Sequence, residues 1–145
     1  MREASHHIRK GIIDALDSQI TVNGSFVPIF NRVPFDQEEP FIKVSTITVD
    51  EVDENKTSFT NEVTISIDVL TSFYSDNGGE YQSNIIVDEI LNLIRTRSDS
   101  YFDLSAENFK VYGVKLNRTR YFEEYEDDKT YFRAIIEMLF KIEKI

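Results

Sequence analysis

The sequence predicts an α+β fold: an antiparallel or mixed sheet of four to five strands with two helices packed on one face. Three observations lead there. Two segments carry apolar residues at helical spacing. Three longer segments alternate apolar and polar residues with a period of two, as half-buried strands do, and a fourth is rich in β-branched and aromatic residues. Acidic or glycine-containing breaks separate the pieces in the order α-β-β-β-α-β-β.

The first helix is expected within Glu3–Gln19. Ile8, Ile12, Ala15 and Leu16 fall on one stripe, and Asn23-Gly24 is a turn signal that closes the segment. Phe26–Phe30 is short and interrupted by Pro28, which has no N–H to give a ladder, so it is an edge strand at best. Val33–Pro40, with two prolines and three acids, reads as a loop. Phe41–Val49 is rich in β-branched and aromatic residues and reads as a strand. Asp50–Lys56 reads as an acidic connection.

Phe59–Leu70 is the clearest strand, with Val63, Ile65, Ile67 and Val69 on one side. After the break at Asp76–Gly79, a second helix is expected from Gly79 to Arg97. Its stripe is Ile86, Ile90, Leu93 and Ile94. Asn77 and Glu80 have capping-box spacing, and Arg95 and Arg97 suit the negative end of the helix dipole. Asp99–Asn108 reads as a polar loop. Phe109–Tyr121 and Tyr131–Ile142 alternate as strands, with Glu123–Asp128 between them as a second acidic turn. A sheet built from two hairpins has one face to offer two helical stripes, and the opposite face leaves Ile135 and Leu139 for a second contact.

The 145 residues are expected to form one domain, 1–145, with no linker and no internal repeat. An apolar share of 41% with 11 Phe and 7 Tyr is too high for a disordered chain. Sixteen basic against 26 acidic residues give a net charge of −10, which disfavours gripping nucleic-acid phosphates by charge. The absence of Cys excludes disulfides, thiolate metal sites and a cysteine nucleophile. No apolar run reaches the ~20 residues of a membrane span, and the N-terminus lacks the apolar stretch of a signal peptide.

Chemistry-bearing motifs are scarce. Gly78-Gly79 sits between strand and helix, where an anion site can form, but Asp76 and Glu80 would repel an anion. His6 and His7 are adjacent, so they do not share a helix face, and no third strong ligand lies near. The acidic clusters lack the alternating ligands and central glycine of a calcium loop. Both histidines lie at the N-terminal end, and the sequence sets no combination of base, nucleophile and third orienting group around them. The expectation is no enzyme, no cofactor and no metal.

The order of pieces carries a resemblance. A short amphipathic helix leads to an extended Val33-Pro34 segment and then to a Pro40-Phe41-Ile42-Lys43-Val44 strand entry. An alternating strand ends in Ile67-Asp68-Val69-Leu70-Thr71-Ser72. A glycine-containing break, a helix from Glu80 to Arg97, and a hairpin ending Phe140-Lys141-Ile142-Glu143 complete it. From about Ile8 to Glu143 this resembles the tail completion or tail terminator proteins of long-tailed bacteriophages.

The resemblance implies a structural virion protein of the head-proximal tail end, assembled in the host cytoplasm. It implies a homo-oligomer, usually a hexameric ring, that closes the tail tube, contacts the tail tube protein and meets a head-side connector protein. Genome DNA would pass through without specific binding. Six copies at −10 each carry −60, and an acidic lumen would repel phosphates. A ring needs heterologous patches. The candidates are Phe26 and Ile29 on the short edge, Asp50, Glu51, Asp53 and Glu54 at one tip, Glu123, Glu124, Glu126, Asp127 and Asp128 at the other, and Ile135 and Leu139 on the second sheet face. The rival readings are another neck or head-completion ring protein, and a stand-alone protein-binding α+β module.

Overall fold

The computed structural model describes residues 3–52, 60–74, 78–95 and 103–144. Helix α1 is Ser5–Leu16. Three two-residue strands follow: β1 (Thr21–Val22), β2 (Ser25–Phe26) and β3 (Ile29–Phe30). Two long strands come next, β4 (Phe41–Val52) and β5 (Thr60–Tyr74). Helix α2 is Tyr81–Ile94, a short 3-10 turn spans Ser105–Glu107, and β6 (Phe109–Glu126) and β7 (Lys129–Lys144) close the chain.

The main sheet has the order β3-β4-β5-β7-β6. It is mixed: β3 runs parallel to β4, and every other neighbour is antiparallel. The α+β architecture expected from the sequence is therefore present. The alternation in β5 buries Val63, Ile65, Ile67 and Val69 beneath both helices. Facing strands supply Ile42, Val44, Ala134, Ile136, Met138, Phe140 and Ile142. The stripes of α1 (Ile8, Ile12, Leu16) and α2 (Ile86, Val87, Ile90, Ile94) close this core. Burying so many aliphatic side chains, at about 1.5–3 kcal/mol each, is the main force holding the helices to the sheet. Arg9 adds a polar tie, donating from α1 to the Thr46 hydroxyl on β4.

Several boundaries differ from the sequence expectation. Instead of one edge strand at Phe26–Phe30, Ser25–Phe26 turns back on Thr21–Val22 through Asn23-Gly24, both at positive φ. Pro28 separates that hairpin from β3 and accepts a 2.9 Å hydrogen bond from the Ile42 N–H. Neither α1 nor α2 has a side-chain cap, and Glu80 itself is the N-cap of α2. Asn77 and Arg97 lie outside the described residues, and Arg95 is the C-cap rather than a last-turn residue.

Strand extends into both expected acidic turns; residues 53–56 of the first lie outside the described residues. β4 continues through Asp50 and Glu51 to Val52, because Asp50 pairs with Glu62 and Glu51 with Asn61. Glu123, Glu124 and Glu126 belong to β6, held there by Phe132, Tyr131 and Lys129 of β7. Within the second cluster only Asp127-Asp128 turns, with φ of 51° and 60°. Two successive left-handed residues are the geometry of a type I′ hairpin turn, whose twist matches that of the strands it joins.

Candidate assembly surfaces

Beyond Leu70 the sheet narrows. β4 begins at Phe41 opposite Leu70, so Thr71–Tyr74 of β5 pair only with β7, and β7 pairs there with Glu123–Glu126 of β6. The result is a three-stranded arm ending in the Asp127-Asp128 turn. Exposed aromatic side chains line the arm and its root: Tyr74 is 74% exposed and Tyr125 64% on the arm, and Phe122 44% and Tyr121 40% just before it. Inside the arm Phe73 packs edge-on against Phe132 at 5.9 Å, and the Lys129 ammonium lies 5.1 Å from the Tyr74 ring centroid. Five carboxylates (Glu123, Glu124, Glu126, Asp127, Asp128) share this end with the aromatics and are all exposed.

Charge is segregated along β6. Residues 109–120 hold Lys110, Lys115, Arg118 and Arg120 and no acid, and residues 121–128 hold the five acids and no base. On the helix-free face Glu137 draws together two of these cations, Arg120 at 2.8 Å and Arg118 at 3.4 Å. Asp68 pairs with Arg133 at 2.6 Å.

A shallow pocket of about 380 Å³ opens on the same face at the root of the arm. Leu70, Phe122, Tyr131 and Ile135 form its apolar part, and Glu39, Glu124, Glu126 and Arg133 its charged part. His6 and His7 are remote from it, stacked at 3.9 Å on α1, with His7 against Phe109. No group of three or more His, Asp or Glu among the described residues is placed to hold a metal ion.

The residues singled out from the sequence fall in separate places. Phe26 stands exposed on the small β1-β2 hairpin, and Ile29 is half-buried on β3 at the opposite edge of the sheet from β6. Asp50 and Glu51 are exposed at the end of β4; Asp53 and Glu54 lie outside the described residues. The five acids of the second cluster come together on the arm. Leu139 is half-buried, whereas Ile135 is only 8% exposed, covered by its own chain at the floor of the pocket. Sequence reasoning missed the exposed aromatics Phe122, at the root of the arm, and Tyr125, on it. The signal was their place among acids on a strand whose length was underestimated.

No protein-family model and no curated protein matches the sequence. The fold does match solved structures. One is a chain described as "Virion of native gene transfer agent (GTA) particle", with a TM-score of 0.52 over 90% of this chain and 84% of that one. At 13% identity, that likeness shows a shared fold.

Proposed function

We propose that this chain is a structural virion protein that closes the end of a phage tail tube as a ring, hexameric in its finished form, and offers the surface on which a head-side connector docks. The observation that carries this reading is the fold shared, over nine-tenths of the chain, with a chain of a gene transfer agent virion. The exposed aromatic and acidic arm is the surface that would meet the tail tube protein or a neighbouring subunit.

Negative charge facing the lumen would let DNA pass without sticking, the reverse of a phosphate-gripping surface. Subunits of −10 repel one another, so ring closure strengthens as salt screens that repulsion. The test is electron microscopy of the purified protein mixed with tail tubes. Rings of about six subunits seated on tube ends support the proposal. Bare tube ends, with the protein bound as a monomer to some other cargo, overturn it and favour a binding module.

A further inference from the structure

Among the described residues β6 is the last strand of the sheet: it pairs with β7 on one side and with no strand on the other. Native sheets blunt such an edge with prolines, bulges or charged side chains. Between Arg118 and Glu126 there is no proline and no bulge, since the register with β7 is unbroken from Arg118–Glu137 to Glu126–Lys129. The charges there are of both signs, so they deter an arbitrary strand but not one that presents the complementary order.

The nine residues read Arg-Thr-Arg-Tyr-Phe-Glu-Glu-Tyr-Glu. Strand alternation puts Arg118, Arg120, Phe122, Glu124 and Glu126 on the helix-free face. Two cations precede the central aromatic, and two anions follow it at the mirrored positions. We propose that two copies of this chain pair antiparallel along this edge, Phe122 against Phe122, into one continuous ten-stranded sheet.

Charge complementarity selects both the partner and the register. A two-fold axis perpendicular to the sheet keeps the helix-free faces of both copies on the same side. Centred on Phe122, it sets Arg120 opposite Glu124 and Arg118 opposite Glu126, and does so twice by symmetry. Directly opposed side chains on one face of an antiparallel pair are the ones that interact. Centring on Tyr121 leaves Arg120 opposite Phe122 and loses half of these pairs. Centring on Glu123 sets that carboxylate against its own copy. Parallel pairing in register stacks like charge on like charge throughout.

The groups are available. Arg118 and Arg120 share the single Glu137 carboxylate within the chain and stay 64% and 47% exposed. Glu124 and Glu126 make no ion pair among the described residues. The contact is closed and self-complementary, so it stops at two copies, whereas a ring requires heterologous patches. It also covers the acids of the arm, so the pair has to open before the arm can meet a tube. The inference therefore goes beyond the virion reading and does not depend on it.

The chain has no Cys, so Phe122→Cys introduces a sole thiol at the symmetry axis. Opposed Cβ atoms at about 4.5–5.5 Å are within the range a disulfide bridges after small adjustment. Mild oxidation is expected to link this variant into a covalent dimer. Lys115→Cys, on the same strand but beyond the end of the paired segment, is expected to stay unlinked. Equal linkage of the two variants overturns the register.

Charge reversal is the second arm, read by sedimentation equilibrium. Glu124→Arg with Glu126→Arg disturbs no ion pair among the described residues and is expected to weaken self-association about tenfold or more. Arg118→Glu with Arg120→Glu is expected to do the same. An equimolar mixture of the two double variants, in which every opposed pair is again unlike, is expected to recover the dimer. A wild-type chain that is monomeric at every concentration, or reversal variants that associate as the wild type does, overturn the proposal. Bare tube ends in the microscopy leave this pairing intact, and a monomer here leaves tube capping intact, so the two failures are separable.

Discussion

Arg133 on β7 donates a 2.6 Å hydrogen bond to the Asp68 carboxylate on β5, and the Ser66 hydroxyl donates a second at 2.6 Å. Asp68 sits directly opposite Ile135, so the guanidinium reaches diagonally across the pair to meet it. The Asp68 side chain is one-tenth exposed, and that of Arg133 about half. Removing Arg133 strands a nearly buried carboxylate on one hydroxyl. Arg133→Ala is expected to lower stability by about 1–2 kcal/mol, below the full buried-pair figure because the cation is half solvated. Replacing both partners by Leu removes the stranded charge and is expected to restore most of the loss. Denaturant midpoints of the two variants check this; equal losses would exclude the stranded-charge account.

How far this arrangement was legible depends on sequence distance. The alternation from Val63 to Val69 and the stripe Ile8-Ile12-Leu16 name the core directly, because each reports one local period. The partnership of Asp68 with Arg133 spans 65 residues and leaves no local trace. The burial of Ile135 depends on Leu70 and Phe122, contributed by two other strands. The acids at 123–126 read as a turn because Glu is a poor strand former. They are strand because β7 imposes the ladder and the exposed edge keeps their charges in water. The acidic clusters were visible in the sequence; that one of them joins a row of aromatics on a three-stranded arm was not.

The Asp127-Asp128 turn holds two non-glycine residues at positive φ. The second position of such a turn is usually glycine, which takes that conformation freely. Relief of left-handed strain, about 1 kcal/mol, outweighs the roughly 0.5 kcal/mol that extra freedom of the unfolded chain takes back. Asp128→Gly is therefore expected to raise the melting temperature by about 1–2 °C. Scanning calorimetry measures it, and a lowered melting temperature would show that the carboxylate of Asp128, 3.5 Å from the Tyr125 hydroxyl, matters more than the backbone strain.

Tyr121 ionises above the ordinary tyrosine value of 10.0, first because burial disfavours the phenolate and second because Glu80 lies near it. The unfolded chain loses this proton at a lower pH than the folded chain does. The stabilising term is thus complete below pH 10 and declines as pH rises from there through the raised value. The difference in phenolate absorbance between wild type and Tyr121→Phe isolates this group among seven tyrosines. Its midpoint is expected above 10, and Glu80→Gln is expected to lower it only partway, since burial is the larger cause. A return to the ordinary value in Glu80→Gln would reverse that order.

Three glycines separate backbone strain from steric overlap. Gly78 has φ of +84°, and a Cβ there would lie 2.2–2.7 Å from atoms of the Phe73 ring. That ring is packed edge-on against Phe132, so it cannot move aside without disturbing the arm. Gly24 has φ of +81° with open space around it, and Gly79 has neither constraint. Gly79→Ala is expected to be neutral or slightly stabilising, by up to about 0.5–1 kcal/mol through the unfolded chain. Gly24→Ala is expected to lose about 1 kcal/mol from strain alone. Gly78→Ala combines strain with overlap and is expected to lose about 2–4 kcal/mol. Urea unfolding followed by far-UV circular dichroism ranks the three. If Gly78→Ala matches Gly24→Ala, the Phe73 ring yields freely and the arm is packed more loosely than its edge-on contact with Phe132 implies.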